Sequence, residues 1–374
     1  MTSRDRLLRT LRHEITDRVP ISTYELCPFN SQSFENCEPS YAPLMQKIRC
    51  SCDGITMWNP ADNCCLALSA HPADIETSVC RNSERNETVY SRSLRTPSGR
   101  MLHWQDRIFD DVKTVWHTEH ICKDMDDVDA YMSIPFVPVQ YDFGDYARIN
   151  QETGDNGIIM ASLGDPACTA MEIMEFGAAT VWALTETEHF ASVMDELHRR
   201  NMINLENMLK AGVVDLYRIC GPEYITPPYL PPRFFERFVL PYISDMTQLI
   251  HSYGGLVRIH SHGRIGRVLD MIAECGADAL DPCEAPPDGD ISLSEIKRRV
   301  GSSMCIFGNL QLKLLEHGTP DAVRNEVRTC MASAMAGGGY VIMPTASPIN
   351  IPLSPKTYEN YCVFIDTALE YGQY

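Results

Sequence analysis

The sequence has 374 residues, of which 44% are hydrophobic and 22% are charged, and its formal net charge is −18. This composition is typical of a globular chain, and the acidic balance without a basic stripe argues against a nucleic-acid partner. No apolar run approaches the ~20 residues of a membrane span, and the charged N-terminus lacks a signal-peptide pattern, so we expect a cytoplasmic protein. The fifteen cysteines are therefore expected to be free thiols.

The first part of the chain predicts a short helix, two strands and an inserted hairpin. Leu7, Leu8 and Leu11 share one face of a predicted helix over residues 2–13. Further segments are predicted as strands over residues 18–24 and 53–58 and as helices over residues 42–49 and 124–131. Two β-prone runs, residues 88–94 and 100–104, flank a proline–glycine turn and predict a β-hairpin. We place this hairpin in an insertion over about residues 86–118.

Strand-like and helix-like segments alternate regularly from about residue 150 onwards. The predicted strands cover residues 157–163, 215–220, 255–260, 277–281, 304–308 and 339–343. The predicted helices cover residues 168–180, 188–210, 232–253, 264–275, 292–300, 320–336 and 357–371. With the two early strands this makes eight β units, which predicts an α/β protein with a (β/α)₈ TIM barrel, an N-terminal helical extension and the β-hairpin insertion. We expect one domain over residues 1–374.

Active sites of such barrels lie at the carboxyl ends of the strands, so the residues that follow each strand-like run are candidates. The candidate catalytic residues are Glu223, His260 and His262. The candidate substrate-binding residues are Tyr24, Trp58, Tyr224, Asn309, Gln311 and Thr345. Aromatic packing and helix capping are the alternative explanations for several of them.

The pair His260 and His262 predicts a metal site. Residues two apart in a strand point to the same side, so both imidazoles can converge on one ion. Glu223 or Glu284, at other strand ends, is the predicted further ligand for zinc or another divalent metal. The alternative is a pair of hydrogen-bonding histidines in a metal-free pocket, with Glu284 ordering its own loop.

Four segments of the chain resemble the uroporphyrinogen decarboxylase-like superfamily, especially its cobalamin-dependent methyltransferase branch. They are residues 4–13, 17–20, 230–242 and 251–255. The resemblance covers nearly the whole chain and implies a (β/α)₈ barrel, which agrees with the alternation of strands and helices. It also implies two functions, decarboxylation of a porphyrinogen or transfer of a methyl group.

The chain departs from both functional patterns. Decarboxylases of the superfamily hold propionates with an arginine-bearing loop after the first strand, but no lysine or arginine lies between Val19 and Met45. The methyltransferases bind zinc through a His-x-Cys pair and a later cysteine. Here the pair is His260-Ser261-His262, and residues 344–347 contain no cysteine. Two imidazoles and one carboxylate would leave zinc more positive than thiolates do, which favours activation of an ether-like methyl donor.

We therefore expect a metal-dependent methyltransferase of the O-demethylase type, which moves a methyl group between a small, methoxylated substrate and a corrinoid. The Asp-x-His-x-x-Gly signature of corrinoid domains is absent, since Leu249 stands two residues before His251. The corrinoid is therefore expected on a separate partner protein. The alternatives are a metal-free decarboxylase or lyase of a small carboxylic acid and a non-catalytic small-molecule-binding barrel. The sequence leaves open the methyl donor, the direction of transfer and a homodimer.

Overall fold

The structure is a computed structural model that describes all residues from Met1 to Tyr374. The strands are β1 (Gly54–Met57), β2 (Ala61–Asp62), β3 (Ile75–Asn82), β4 (Glu87–Arg95), β5 (Met101–Phe109), β6 (Val112–Glu119), β7 (Tyr141–Asp142), β8 (Gly157–Gly164), β9 (Leu216–Cys220), β10 (Leu256–His260), β11 (Ala279–Asp281), β12 (Cys305–Leu310) and β13 (Tyr340–Pro344).

The helices are α1 (Ser3–Leu11), α2 (Phe34–Cys37), α3 (Ala42–Ser51), α4 (Met125–Met132), α5 (Tyr146–Thr153), α6 (Pro166–Ile173), α7 (Phe176–Thr185), α8 (Thr187–Ala211), α9 (Pro232–Phe238), α10 (Leu240–Ser252), α11 (Leu269–Glu274), α12 (Leu293–Val300), α13 (Leu312–His317), α14 (Pro320–Ala334) and α15 (Pro355–Tyr371). None of these helices combines the length and the apolar character that crossing a membrane requires.

Seven parallel strands form a curled central sheet in the order β1-β8-β9-β10-β11-β12-β13. Its strands alternate with helices, as the sequence predicts. A cluster of 12 buried residues lies on the inner face, and 79 further buried residues form the larger core cluster. Leu7 and Leu11 of α1 belong to the inner cluster, so the predicted N-terminal helix covers one end of the sheet. The Arg4–Asp215 ion pair, just before β9, places α1 at the amino ends of the strands.

The predicted strand over residues 18–24 is wrong as a strand, and a closed eight-stranded barrel is not shown. This segment makes one parallel bridge, between Ile21 and Ile342 of β13. Pro20 has no N–H to donate to a ladder. The N–H of Ile21 donates to the buried side chain of Asp53 instead of to a strand carbonyl. The segment therefore runs between β13 and β1 without the regular pairing of an eighth strand.

The predicted hairpin is part of a larger antiparallel sheet. β4 and β5 pair from Glu87–Phe109 to Arg95–Met101, as the sequence predicts. β3 and β6 extend this hairpin to four strands in the order β3-β4-β5-β6. The start of β6 returns to the central unit, because Lys113 N donates to the carbonyl of Ile349 after β13. The insertion therefore reaches the carboxyl ends of the central strands.

Two of the predicted long helices are broken. Residues 168–180 divide between α6 and α7, because Glu175 caps a new helix by accepting from the N–H of Ala178. Residues 232–253 divide at Val239, and Pro241 occupies the first turn of α10, where no N–H is needed. The predicted segment 264–275 divides into a 3-10 turn at Ile265–Arg267 and the short helix α11. These breaks leave the order of strands unchanged.

Replacement of Asp53 by alanine is expected to destabilise the fold strongly. Asp53 is buried and accepts hydrogen bonds from Arg6 (2.6 Å), Arg18 (2.7 Å) and the N–H of Ile21. The variant leaves two guanidinium groups without their shared carboxylate, which costs about 3–5 kcal/mol in comparable buried pairs. Urea unfolding followed by circular dichroism measures the change.

The control variant is Asp321→Ala, which removes an exposed i,i+3 ion pair with Arg324. Exposed pairs of this kind contribute little to stability. Equal unfolding midpoints for Asp53→Ala and Asp321→Ala would contradict the role assigned to Asp53.

Candidate active site

The carboxyl ends of β9, β10 and β11 bring polar side chains next to one another. Parallel pairing aligns Arg218 with Arg258, and it aligns His260 with both Cys220 and Asp281. Alternate residues of a strand share one face, so Arg258 and His260 point to the same side. All of these residues except Cys220 are buried. The strand ends therefore form a buried charged cluster at the carboxyl-terminal opening of the curled sheet, which we call the mouth.

Asp281 is the carboxylate at the centre of this cluster. Its Oδ2 accepts a hydrogen bond from Nδ1 of His260 (2.9 Å), and its Oδ1 lies 3.0 Å from Nε of Arg258, at ion-pair distance without hydrogen-bond geometry. Burial opposes ionisation, but Arg258 and His260 outweigh it and hold the pKa of Asp281 below its usual range. Asp281 is therefore ionised and holds the proton of His260 on Nδ1.

His260 consequently presents Nε2 as a hydrogen-bond acceptor. Burial lowers the pKa of His260, although the charge of Asp281 opposes this shift. The imidazole is therefore neutral near pH 7. A neutral ring with Nδ1 protonated can take a proton on Nε2 and keep Asp281 as the counter-ion.

Tyr24 faces Nε2 of His260. The Tyr24 hydroxyl oxygen lies 3.5 Å from this nitrogen and accepts a 3.0 Å hydrogen bond from Nη2 of Arg218. Nη1 of Arg218 donates to Glu25 at 2.7 Å. Burial raises the pKa of Tyr24, so its phenol is protonated. The backbone of Tyr24 has φ of 60°, a left-handed conformation that bulky residues rarely adopt.

His262 is paired with a different carboxylate. Its Nδ1 lies 3.2 Å from Oε1 of Glu284, and the other oxygen of Glu284 accepts from the N–H of Gly263. The rings of His260 and His262 lie edge to face with centroids 4.6 Å apart. Burial opposes protonation of His262, but Glu284 and then Glu223 raise its pKa. Two adjacent imidazoles with opposite pKa shifts provide a proton acceptor and a proton donor.

Glu223 lies beside this pair without bonding to it. Its Oε2 accepts a 3.1 Å hydrogen bond from the N–H of Gly221. Its effect on His262 is through charge, since it contributes to the raised pKa of that histidine. The predicted catalytic residues Glu223, His260 and His262 therefore share one mouth, while their catalytic role stays a prediction.

The predicted aromatic contacts Trp58 and Tyr224 lie in packed aromatic groups. The Trp58 ring packs against Phe143 and Tyr146, with centroids 5.3 and 5.4 Å away. The Tyr224 ring lies 5.7 Å from that of Phe176. Both residues follow strands as predicted, and their contact with substrate stays a prediction.

The predicted amide and hydroxyl contacts bond to neighbouring loops. Nδ2 of Asn309 donates to the carbonyl of Cys283 at 2.7 Å. The hydroxyl of Thr345 lies 3.5 Å from Oε1 of Gln311 and accepts from the N–H of Leu312. Nε2 of Gln311 is buried without a partner. Of these three residues, Gln311 is the one whose buried donor, Nε2, can still donate a hydrogen bond to another group.

The predicted metal ligands do not assemble into a zinc centre in this structure. No group of three or more His, Cys, Asp and Glu side chains has an arrangement that could hold a metal ion. Glu284 uses its oxygens for His262 and Gly263, and Nε2 of His260 faces the Tyr24 hydroxyl. As arranged here, these side chains do not bring three donors to one point, so the zinc site stays a prediction and we derive no chemical step through a metal.

Sequence reasoning missed the two arginines of the site. Arg218 and Arg258 each stand two residues before a strand end, at Cys220 and His260. The alternation of side chains along a strand carries this signal. A charged residue two positions before an inward-facing strand-end residue must also face inward. Both arginines lie within β9 and β10 and not among the residues that follow the strands.

A cavity of about 220 Å³ adjoins Tyr24. Its lining comes from the Tyr24 segment, α2 and its neighbours, β6 and the loop after β13. Lys113 brings a cation into this lining, with Nζ 3.4 Å from Oε2 of the buried Glu35 and 4.8 Å from the centroid of the Phe34 ring. The cavity is therefore small, and its lysine already has a carboxylate partner.

Replacement of Glu284 by glutamine is expected to lower the pKa of His262, because burial remains while the carboxylate that favours the imidazolium is removed. Histidine NMR titration measures the change. The control Glu223→Gln removes a charge that has no direct bond to His262, and it should lower the pKa of His262 less. Equal effects of the two variants would contradict the assigned pairing.

The same variant gives a stability prediction with a defined pH window. The pKa of His262 is raised from 6.5, so its contribution to stability is lost as pH rises through the folded value. The pKa of Glu284 is lowered from 4.5, so its contribution is lost as pH falls through the folded value. The wild type should therefore exceed Glu284→Gln in unfolding free energy most between these two ordinary values. A constant difference in urea unfolding across pH would contradict the pairing.

Known proteins resemble the chain over much of its length. It is 28% identical to the uroporphyrinogen decarboxylase of Pseudoalteromonas translucida over 226 residues, which cover 56% of this chain and 58% of that protein. It is 22% identical to the methylcobamide:CoM methyltransferase MtaA of Methanosarcina barkeri over 197 residues, 52% of this chain and 54% of that protein. The chain thus spans little more than half the length of these two curated relatives.

A solved structure shares the fold along the whole chain. The methyltransferase from Methanosarcina mazei superposes with a TM-score of 0.62 at 16% identity, and the match covers 99% of both chains. At this identity the likeness concerns the fold alone. A sequence profile described as uroporphyrinogen decarboxylase (URO-D) matches residues 109–363, more than half of the chain. The chain therefore belongs to the uroporphyrinogen decarboxylase (URO-D) family.

Proposed function

We propose that this URO-D family enzyme is a methyltransferase that moves a methyl group between a small uncharged substrate and a corrinoid on a separate protein. The charge balance of the mouth is the observation that carries the proposal. Nη1 of Arg218 lies 2.7 Å from Glu25, and Nε of Arg258 lies 3.0 Å from Asp281. Both buried arginines of the site are neutralised, so neither is free to hold a substrate carboxylate.

The remaining charges also favour an uncharged substrate. Glu223 and Glu284 add negative charge beside the histidines, and Lys113 is paired with Glu35. An anionic substrate would be desolvated against this excess of carboxylates. A methoxyphenol or a similar neutral ether has no such cost.

The cavity beside Tyr24 is small, and its lining does not include the proposed proton donor His262. Its volume of about 220 Å³ is below the roughly 300–1,000 Å³ of pockets for drug-sized ligands. A tetrapyrrole is larger than such ligands, and its carboxylates would meet no lysine or arginine between Val19 and Met45. These features argue against a porphyrinogen as the substrate.

His262 is suited to the proton transfer that methyl removal requires. When a methyl group leaves an ether for the partner's corrinoid, the remaining oxygen carries developing negative charge. His262 is partly exposed, and Glu284 favours its protonated form. Its imidazolium can donate a proton to this oxygen, and in the reverse direction the neutral ring can accept one.

Decarboxylation of a small carboxylic acid is the second candidate. The curated relative from Pseudoalteromonas translucida is a uroporphyrinogen decarboxylase, and Arg264 lies exposed two residues beyond His262. An exposed guanidinium can bind a carboxylate at the rim of the site, although water screens it more than a buried one. The two candidates differ in whether a carboxylate is required or disfavoured.

The test supplies free cob(I)alamin with neutral methoxyphenols and with their carboxylated analogues. We expect the spectrum of methylated cobalamin to appear with the neutral ethers, and the His262→Gln variant to slow the transfer by about 10²–10⁴-fold through loss of the proton donor.

The matched control is His251→Gln. His251 is as exposed as His262, at 37%, and is also paired with a carboxylate, Asp278, but it lies before β10 at the opposite end of that strand. The His251→Gln variant should transfer methyl groups at the wild-type rate. Release of carbon dioxide from a small acid without cobalamin, and no methyl transfer from any ether, would favour the second candidate instead.

A further inference from the structure

We propose that a second cavity, at the carboxyl end of β8, binds a small uncharged molecule that has about the size of one aromatic ring and carries a hydroxyl or N–H donor. The cavity has a volume of about 200 Å³ and lies between the loop after β1, the end of β8 and α8. Glu223, His260, His262 and Glu284 do not line it. The proposed site is therefore separate from the methyl transfer proposed above and does not depend on it.

The volume of the cavity sets the size of the ligand. An engineered apolar cavity of about 150 Å³ in another protein binds benzene. The volume of about 200 Å³ therefore leaves room for one ring and a small substituent. A porphyrinogen or a corrinoid is far larger than this space.

Apolar side chains form more than half of the wall. Eight of the fifteen lining residues are hydrophobic, so burial of a ring against them is favourable. Two of the eight are methionines, whose flexible and polarisable thioethers make favourable contacts with aromatic rings. The apolar residues include Leu68, Val139, Leu163, Leu205, Met208 and Met246.

The charge of the lining selects against ions. Asp62 is the only charged residue of the lining, and it is exposed. Its Oδ1 accepts a 2.9 Å hydrogen bond from the N–H of Cys64. No lysine, arginine or histidine lines the cavity, so a carboxylate or phosphate would leave water without a counter-ion. An ammonium group would meet only an exposed carboxylate, whose charge is screened by water.

Asparagine side chains fix the walls of the cavity. Asn59, after β1, accepts from the N–H of Ser162 and donates to its carbonyl, each at 2.8 Å. Asn204 of α8 donates to the carbonyl of Leu68 at 2.6 Å and accepts from the N–H of Val139 at 3.0 Å. These bonds hold the loop after β1 and the segment before β7 against β8 and α8. The walls are therefore in place before a ligand binds, which lowers the entropic cost of binding.

Asn201 supplies a polar group that the walls do not use. It lies one helical turn before Asn204, is 8% exposed, and donates from Nδ2 to the carbonyl of Gly164 at 3.1 Å. Its Oδ1 accepts no hydrogen bond and is not among the fully enclosed polar atoms that lack a partner, so it borders open space. The open space beside Asn201 is the cavity that it lines. This carbonyl oxygen favours a ligand that donates a hydrogen bond to it.

The first measurement is NMR of the wild-type protein with ¹³C-labelled methionine methyl groups, titrated with benzyl alcohol. We expect the methyl resonances of Met208 and Met246 to shift, because a bound ring lies beside them. Met194 is the control, since it belongs to α8 like Met208 and is fully buried but does not line the cavity. No shift of Met208 and Met246 up to the solubility limit of the alcohol, or an equal shift of Met194, would overturn the proposal.

Charged analogues test the predicted class of ligand. Benzoate and benzylamine, titrated in the same way at neutral pH, should leave the resonances of Met208 and Met246 in place, because the cavity offers neither of them a buried counter-ion. A shift with either ion as large as that with benzyl alcohol would overturn the assignment of an uncharged ligand.

Replacement of Asn201 by leucine tests the hydrogen bond, because leucine has a similar size and no acceptor. The affinity for benzyl alcohol should fall about fivefold, while that for toluene, which has no donor, should stay unchanged. The control is Asn207→Leu, since Asn207 also donates from Nδ2 to a carbonyl, that of Val139 at 3.0 Å, but does not line the cavity. The Asn207→Leu variant should keep both affinities.

The outcomes for the Asn201→Leu variant are distinct. An unchanged affinity for benzyl alcohol, or an equal loss of affinity for benzyl alcohol and toluene, would contradict recognition of a donor by Asn201. The titration of the wild-type protein tests the cavity itself and does not require that this variant fold.

Discussion

The ionised carboxylate of Asp281 is the interaction on which the site depends. It is fully buried between Arg258 and His260, and its charge is held by both. Without it, a buried guanidinium would lack its counter-ion, and the proton of His260 would not be fixed on Nδ1. The orientation of Nε2, and therefore the contact with Tyr24, follows from this one group.

The N-terminal segment, which lies between the edge strands β13 and β1, contributes Tyr24 to the site. Asp53 ties Arg6, Arg18 and the N–H of Ile21 together. This anchor holds the chain between β1 and β13, and three residues later the chain reaches Tyr24. A structural ion-pair network at one end of the segment thus positions a phenol at the mouth.

The sequence predicts the repeating architecture well because alternating strands and helices leave strong periodic patterns. It also predicts that His260, His262 and Glu284 meet at one mouth. It does not reveal that residues 18–24 fail to form an eighth strand. Their composition is that of a strand, but Pro20 and the Asp53 side chain prevent regular pairing. Nor does the spacing of His260 and His262 reveal which ring nitrogen is already bonded. That depends on carboxylates from another strand, which only the folded chain brings near.

We propose, as the central point, that carboxylates hold these histidines for proton transfer and not as ligands of a zinc ion. Its most direct test is the metal content of the protein, purified without chelators and then equilibrated with micromolar zinc, by plasma mass spectrometry. The account predicts far less than one zinc per chain, with no difference between the wild type and the His260→Ala/His262→Ala variant. One zinc per wild-type chain that is lost in the double variant would contradict it.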